Sequence, residues 1–147
     1  MAGIGTGGYS GTPLPRKLGI RPGDRVALVH APEHAEALLG ALPHGARLSR
    51  RATGEPRVVL CFGTRARDLG RDLDRLRDGV RVDGAIWACW PKRASGVASD
   101  ITEDVVRAMA LDRGLVDVKV CAVDATWSGL CLMFRTADRA EVAARRA

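Results

Sequence analysis

Two stretches of the chain concentrate side chains capable of chemistry. The first is Trp90-Pro91-Lys92-Arg93-Ala94-Ser95-Gly96-Val97-Ala98-Ser99, and the second is Asp124-Ala125-Thr126-Trp127-Ser128-Gly129. Lys92 and Arg93 are adjacent cations suited to an anion. Ser95 and Thr126 add hydroxyls, and Trp90 and Trp127 an apolar wall, which is the mixture that small-molecule sites use. On this reading the stretches bind a small anionic ligand, or a protein partner, without transforming it. Were the site catalytic, Asp124 would be the general base and Lys92 an electrophilic clamp on a phosphorylated or acyl substrate.

Other constellations fail on spacing. His30, Glu33 and His34 straddle a strand end and a proline. No third ligand stands at motif spacing, so no metal is expected and the histidines read as surface groups. Cys61, Cys89, Cys121 and Cys131 form no C-x-x-C pair, and each sits inside an apolar run. They read as small buried thiols, which need a reducing compartment. Gly3, Gly5 and Gly8 match a dinucleotide pattern, but they precede every strand and open no helix. A P-loop and a nucleophile elbow are both missing.

The elements that must position these residues follow from periodicity. Strands are expected over Arg25–His30, Ala46–Arg50, Arg57–Phe62, Ala85–Trp90, Val116–Val123 and Gly129–Arg135. The runs at 57–62 and 85–90 are apolar throughout, as central strands covered on both faces are. Leu69, Leu73, Leu76 and Val80 line one face of a helix. Its other face pairs Asp68 with Arg71, Asp72 with Arg75 and Asp74 with Arg77 at i, i+3, and reads as a solvated face. Ile101, Val105, Val106 and Met109 mark a further helix, with Asp100 and Glu103 at capping-box spacing. A shorter helix follows Pro32, carrying Ala35, Leu38, Leu39 and Leu42.

Strands alternating with helices give a mostly parallel sheet. The connection at 124–128 is too short for a crossover, so the last strand is antiparallel. The fold class is therefore α/β, a Rossmann-like sheet of about six strands with helices on both faces, in the order 2-1-3-4-6-5. Ligands in such sheets sit beyond the strand carboxyl ends. The segments at that edge are His30–Glu33, Arg50–Arg51, Gly63–Arg65, Trp90–Ser99 and Asp124–Ser128.

The chain has 147 residues, 46% hydrophobic and 27% charged, at a net charge of +6. That is one globular domain, with residues 1–24 an arm and turn, 25–135 the Rossmann-like domain and 136–147 an Ala/Arg-rich tail that reads as a frayed helix. The basic excess is scattered, and aromatics are only 4%, which argues against a nucleic-acid accessory role. Mean hydropathy is −0.05, and no apolar run suits a membrane. No export signal is read at the start, and the expected location is the cytoplasm.

A sheet closing on an antiparallel hairpin strand resembles the class I methyltransferases. Leu18–Val26 resembles the Pro-Gly lead into their first strand, and Val82–Trp87 their mid-domain strand. Their cofactor is not expected here. Glycines should follow the first strand, and the chain reads His30-Ala31-Pro32-Glu33-His34; an acid should end the second, and the chain reads Ser49-Arg50-Arg51. No other cofactor is indicated.

A second resemblance is more local. Gly8-Tyr9-Ser10-Gly11-Thr12-Pro13-Leu14, Trp90-Pro91-Lys92, Ala94-Ser95-Gly96-Val97, Ile101–Arg107 and Gly114–Asp124 with Thr126–Leu130 look like a bacterial domain-of-unknown-function family common in actinobacteria. The resemblance implies a small cytoplasmic bacterial protein and supplies no activity. Ala125 stands where relatives carry an acid. The arm, with Tyr9, Ser10 and Thr12, is expected to pack over the strand carboxyl edge near Trp90 or Trp127.

Overall fold

The computed structural model describes residues 11–147. Six strands form one sheet in the order β2-β1-β3-β4-β6-β5. They are β1 (Arg25–Val29), β2 (Arg47–Ser49), β3 (Val58–Phe62), β4 (Ala85–Pro91), β5 (Leu115–Ala122) and β6 (Trp127–Phe134). Every pairing is parallel except those of β6, which runs antiparallel to both β4 and β5. The topology is the one the connection lengths dictate, and every residue of β3 and β4 is buried.

Each face of the sheet carries its own helices. Leu69, Leu73 and Leu76 of α3 (Ala66–Gly79) and Val106 and Ala110 of α4 (Glu103–Asp112) cover one face, against Val59, Ile86, Ala88, Trp90 and Leu130. On the other, the segment following α1 (Leu14–Lys17) and α2 (Ala35–Leu39) bring Leu18, Ile20, Ala35 and Leu39 against Val58, Leu60, Trp87 and Cys131. Alternate residues of β1, β3, β4 and β6 serve opposite cores, as the two-residue period of a strand requires. Trp87 is fully buried and its indole N–H donates to the carbonyl of Leu18 at 3.0 Å, which satisfies its one polar atom.

Three local expectations are corrected. The cap of α4 is Thr102, whose hydroxyl accepts from Val105 N; Asp100 instead reaches the start of α3, accepting from Ala66 N at 2.7 Å. Asp124 closes the β5–β6 turn by accepting from Thr126 N and Trp127 N at 2.8 and 2.7 Å, so β6 begins at Trp127 rather than Gly129. The tail is a helix as expected, α5 (Arg139–Arg146), but it is not frayed, since its last turn is tied down: Arg146 donates to the carbonyls of Val80 and Arg77 and lies over Phe134.

At the amino ends of the strands a buried ion pair joins Asp24 and Arg57. Arg57 donates to both oxygens of Asp24, at 2.6 and 2.5 Å, and to the carbonyl of Gly19. Burial by itself would raise the Asp24 carboxyl, but the Arg57 guanidinium and Arg21 N–H outweigh it and hold the carboxyl below its ordinary value of 3.8. Asp24→Ala leaves a buried guanidinium uncompensated and should cost about 3–5 kcal/mol in chemical denaturation. The folded carboxyl titrates below the unfolded one, so its stabilisation is complete above pH 3.8 and is lost as pH falls through the lower folded value. Wild-type stability should therefore decline faster below that pH than stability of Asp24→Asn.

Candidate functional site

The carboxyl edge is where β1 and β3 diverge toward helices on different sides, and a cleft of about 490 Å³ opens there. His30 supplies one lip, from the end of β1. Phe62, Gly63 and Thr64 form the floor, at the end of β3. The far wall is the first three turns of α3, with Asp68, Arg71, Asp72 and Arg75, and Trp127 closes the remaining side.

Asp72 is the organising group of this cleft. It is only 6% exposed, although it belongs to the helix face read from sequence as solvated. Its Oδ2 faces His30 Nε2 at 3.3 Å and accepts from the Cys61 thiol at 3.6 Å, while Arg75 donates to Oδ1 at 3.3 Å. Burial, with the Asp72 carboxylate beside it, pushes the Cys61 thiol far up, so Cys61 is an inert hydrogen-bond donor and not a nucleophile. Of the three expected i, i+3 pairs, only Asp72–Arg75 forms. Asp74 turns to Arg113 at 2.7 Å, and Asp68 and Arg71 form no ion pair. Arg71 is thus a cation on the cleft wall with no partner among the described residues.

His30 holds a backbone φ of +53°, the left-handed region. Histidine is among the residues enriched there, yet the conformation carries some strain and is frequent at functional sites. It turns the chain sharply off β1 and puts the imidazole over the cleft, with the side chain 64% exposed.

The residues singled out from sequence are distributed differently from the single wall expected. Trp127 reaches the cleft and packs edge-to-face on Phe62 at 5.1 Å. Trp90 does not join it: it is buried in the core on the α3–α4 face, while Trp127 belongs to the opposite face, because Trp90 pairs with Ser128 rather than Trp127 in the β4–β6 register. Lys92 Nζ donates at 2.7 Å to the main-chain carbonyl of Asp124, not to its carboxylate. The Ser95 hydroxyl donates to Lys92 O at 2.6 Å and accepts from Val97 N at 3.1 Å, building the turn around Arg93–Ser95. Arg93 is exposed, Thr126 accepts from Lys92 N through its main-chain oxygen at 2.7 Å, and Asp124 Oδ2 stands 3.3 Å from His34 Nε2. Thr12 is half-buried ahead of α1, and Tyr9 and Ser10 lie outside the described residues.

Sequence reasoning placed His30 and Gly63–Arg65 at the right edge but missed Asp68, Arg71, Asp72 and Arg75. The available signal was Asp72 itself. It lies one residue from Leu73 and three from Leu69, at the margin of the apolar stripe, where a helix meets the end of the strand it covers.

No family model and no curated protein matches the chain. Solved structures do match in fold. The B. subtilis tRNA methyltransferase TrmK superposes with a TM-score of 0.57 at 12% identity, over 87% of this chain and 68% of that one. The Synechocystis magnesium protoporphyrin IX methyltransferase ChlM, with bound S-adenosylmethionine, gives 0.53 at 10%, over 83% and 74%. A putative methyltransferase from Thermoplasma acidophilum gives 0.53 at 9%, over 80% and 70%. The chain has the fold of the class I methyltransferases.

The residues present do not fit the cofactor of that fold. A nucleoside cofactor needs close backbone approach after β1 and an acid beyond β2 for its ribose. Arg50 stands at the second place and crosses to the first. It donates to the carbonyls of Ala31 and Pro32 at 3.0 and 2.9 Å and clasps Glu36 at 2.8 and 2.7 Å. The gap between the two strand ends is bridged by the chain's own side chains, and α2 is too short to offer a strong dipole. Calorimetric titration of the protein with S-adenosylmethionine should show no micromolar binding; a clear isotherm in that range would mean that the Arg50–Glu36 clasp opens.

Proposed function

We propose that the protein binds a small anionic ligand in the β1–β3 cleft and does not transfer methyl groups. The observation that carries this reading is Arg71, a guanidinium on the wall of the cleft at the carboxyl edge with no partner among the described residues. Arg75 lies beside it, 64% exposed, with one N–H engaged on Asp72. Such paired guanidinium groups match carboxylate and phosphate geometry. The Thr64 hydroxyl and the aromatic pair Phe62–Trp127 supply a polar contact and an apolar wall. Asp68 also faces the cleft, so the anion sits toward Arg71 and Arg75 and away from it. Lys92, Arg93, Ser95 and Thr126 then serve mainly to shape the neighbouring rim, and Asp124 to lock the turn that carries Trp127.

We also read the chain as a cytoplasmic member of the actinobacterial family that its motif blocks resemble. Four free cysteines, three of them buried, support a reducing compartment, and among the described residues no helix is long and apolar enough to cross a membrane. A protein partner at the same edge is the second reading, supported by the exposed 3-10 turn at Arg93–Ser95.

Inorganic pyrophosphate is a suitable first probe. It should raise the melting midpoint of the wild-type protein in a concentration-dependent way. Arg71→Ala should weaken its affinity about tenfold, the loss of one charge-assisted contact, and Asp68→Asn should strengthen it. Unchanged affinity in both variants would remove the cleft as the anion site.

A further inference from the structure

We infer that the cleft is also a hydrolytic centre, in which His30 is the general base and Asp72 its positioning residue, acting on an acyl ester that carries an anionic group. The inference rests on the anion-binding reading of the same cleft for its substrate class. It rests on separate observations for its chemistry.

The first is the pair itself. An imidazole open to solvent on one side meets a buried carboxylate on the other, at 3.3 Å. That is the relation of a base to the group that orients it. Nε2 faces Asp72 Oδ2; with its proton held on that side, in the Nε2–H tautomer, the imidazole would carry its free lone pair on Nδ1. The second is how much of the fold converges on Asp72. A carboxylate at the margin of an apolar helix face costs desolvation free energy. Here it is retained with three partners from three elements: His30 after β1, Cys61 of β3 and Arg75 of α3. A helix face serving only solubility needs none of them. The third is the left-handed backbone at His30, a conformation that fixes where the imidazole is delivered.

The step balances without a metal or a redox partner. A water in the cleft gives a proton to His30 Nδ1 as its oxygen bonds to the acyl carbon. The resulting tetrahedral oxyanion collapses, the acyl C–O bond breaks with its electron pair on the leaving oxygen, and the imidazolium returns its proton there. Ester and water become carboxylic acid and alcohol. The Asp72 carboxylate stabilises the transient imidazolium, and Arg71 and Arg75 hold the anionic end so that the carbonyl lies over His30. The arrangement differs from an Asp124/Lys92 site, in which the lysine ammonium is spent on a main-chain carbonyl.

The test uses the full chain and two probes, the anionic mono-4-nitrophenyl succinate and the neutral 4-nitrophenyl acetate. His30→Asn is the informative variant, because asparagine also tolerates a positive φ, so the turn is kept while the base is removed. It should lower kcat for the anionic ester by about 100-fold or more. Asp72→Asn should lower kcat at nearly constant KM, a split that a purely structural role would not produce. Arg71→Ala should raise KM for the anionic ester alone. Equal turnover in wild type and His30→Asn overturns the inference. So does absence of wild-type turnover while pyrophosphate still binds in an Arg71-dependent manner, an outcome that leaves the anion-binding reading intact. Turnover that depends on His30 but is indifferent to ester charge and to Arg71 retains the base and overturns the anion-binding reading.

Discussion

The buried contact between Arg57 and Asp24 fixes the amino edge of the sheet, and the geometry of the opposite edge follows from it. Asp24 opens β1 and Arg57 leads into β3, and their main chains bind the flanking strands. Asp24 O accepts from Arg47 N as β2 starts, Arg57 N donates to Arg25 O, and Arg57 O accepts from Ala85 N as β4 starts. Gly19 is drawn in by the same guanidinium, which anchors the segment after α1. Four strands thus begin in register around one ion pair. Short strands of similar length then deliver His30, Phe62–Thr64 and Pro91 to the same carboxyl edge. A pair buried this deeply gains little net free energy over an apolar substitute, but removal of one partner is costly. Its consequence is register.

At the carboxyl edge most polar groups are used internally. Arg50 caps the carbonyls of the β1–α2 connection, Asp100 caps the first turn of α3, Asp124 closes its own turn, and Lys92 holds that turn from below. No buried side-chain nitrogen or oxygen among the described residues lacks a hydrogen bond. What is left open is the gap between β1 and β3, where the strand order reverses. There the exposed groups are a histidine, two arginines and an aspartate, beside a half-buried threonine and an aromatic pair. Fold and site are separate matters here. The chain shares the fold of methyltransferases to which it is 9–12% identical, while its own side chains bridge the place a nucleoside cofactor would need.

The sequence by itself determined the sheet order, the antiparallel last strand, the two covered faces and the edge at which a site lies. Each of these rests on local quantities: the apolar runs of β3 and β4, the leucine spacing of α3, and a β5–β6 connection too short to cross the sheet. Tertiary structure decided which side chains meet at that edge. Trp90 and Trp127 are both near the ends of β-strands, but a one-residue difference in register sends them to opposite faces. Asp72 and Arg75 look in sequence like an ordinary solvated pair, and only the placement of α3 against the ends of β1 and β3 turns Asp72 inward onto His30 and Cys61. Asp100 has capping-box spacing with Glu103, and yet it caps a helix 34 residues earlier, because the β4–α4 connection folds back over that helix's start. Periodicity reports the environment of a residue along its own element. The partner of a charge is chosen in three dimensions, by strand order and helix placement, and no local pattern encodes it.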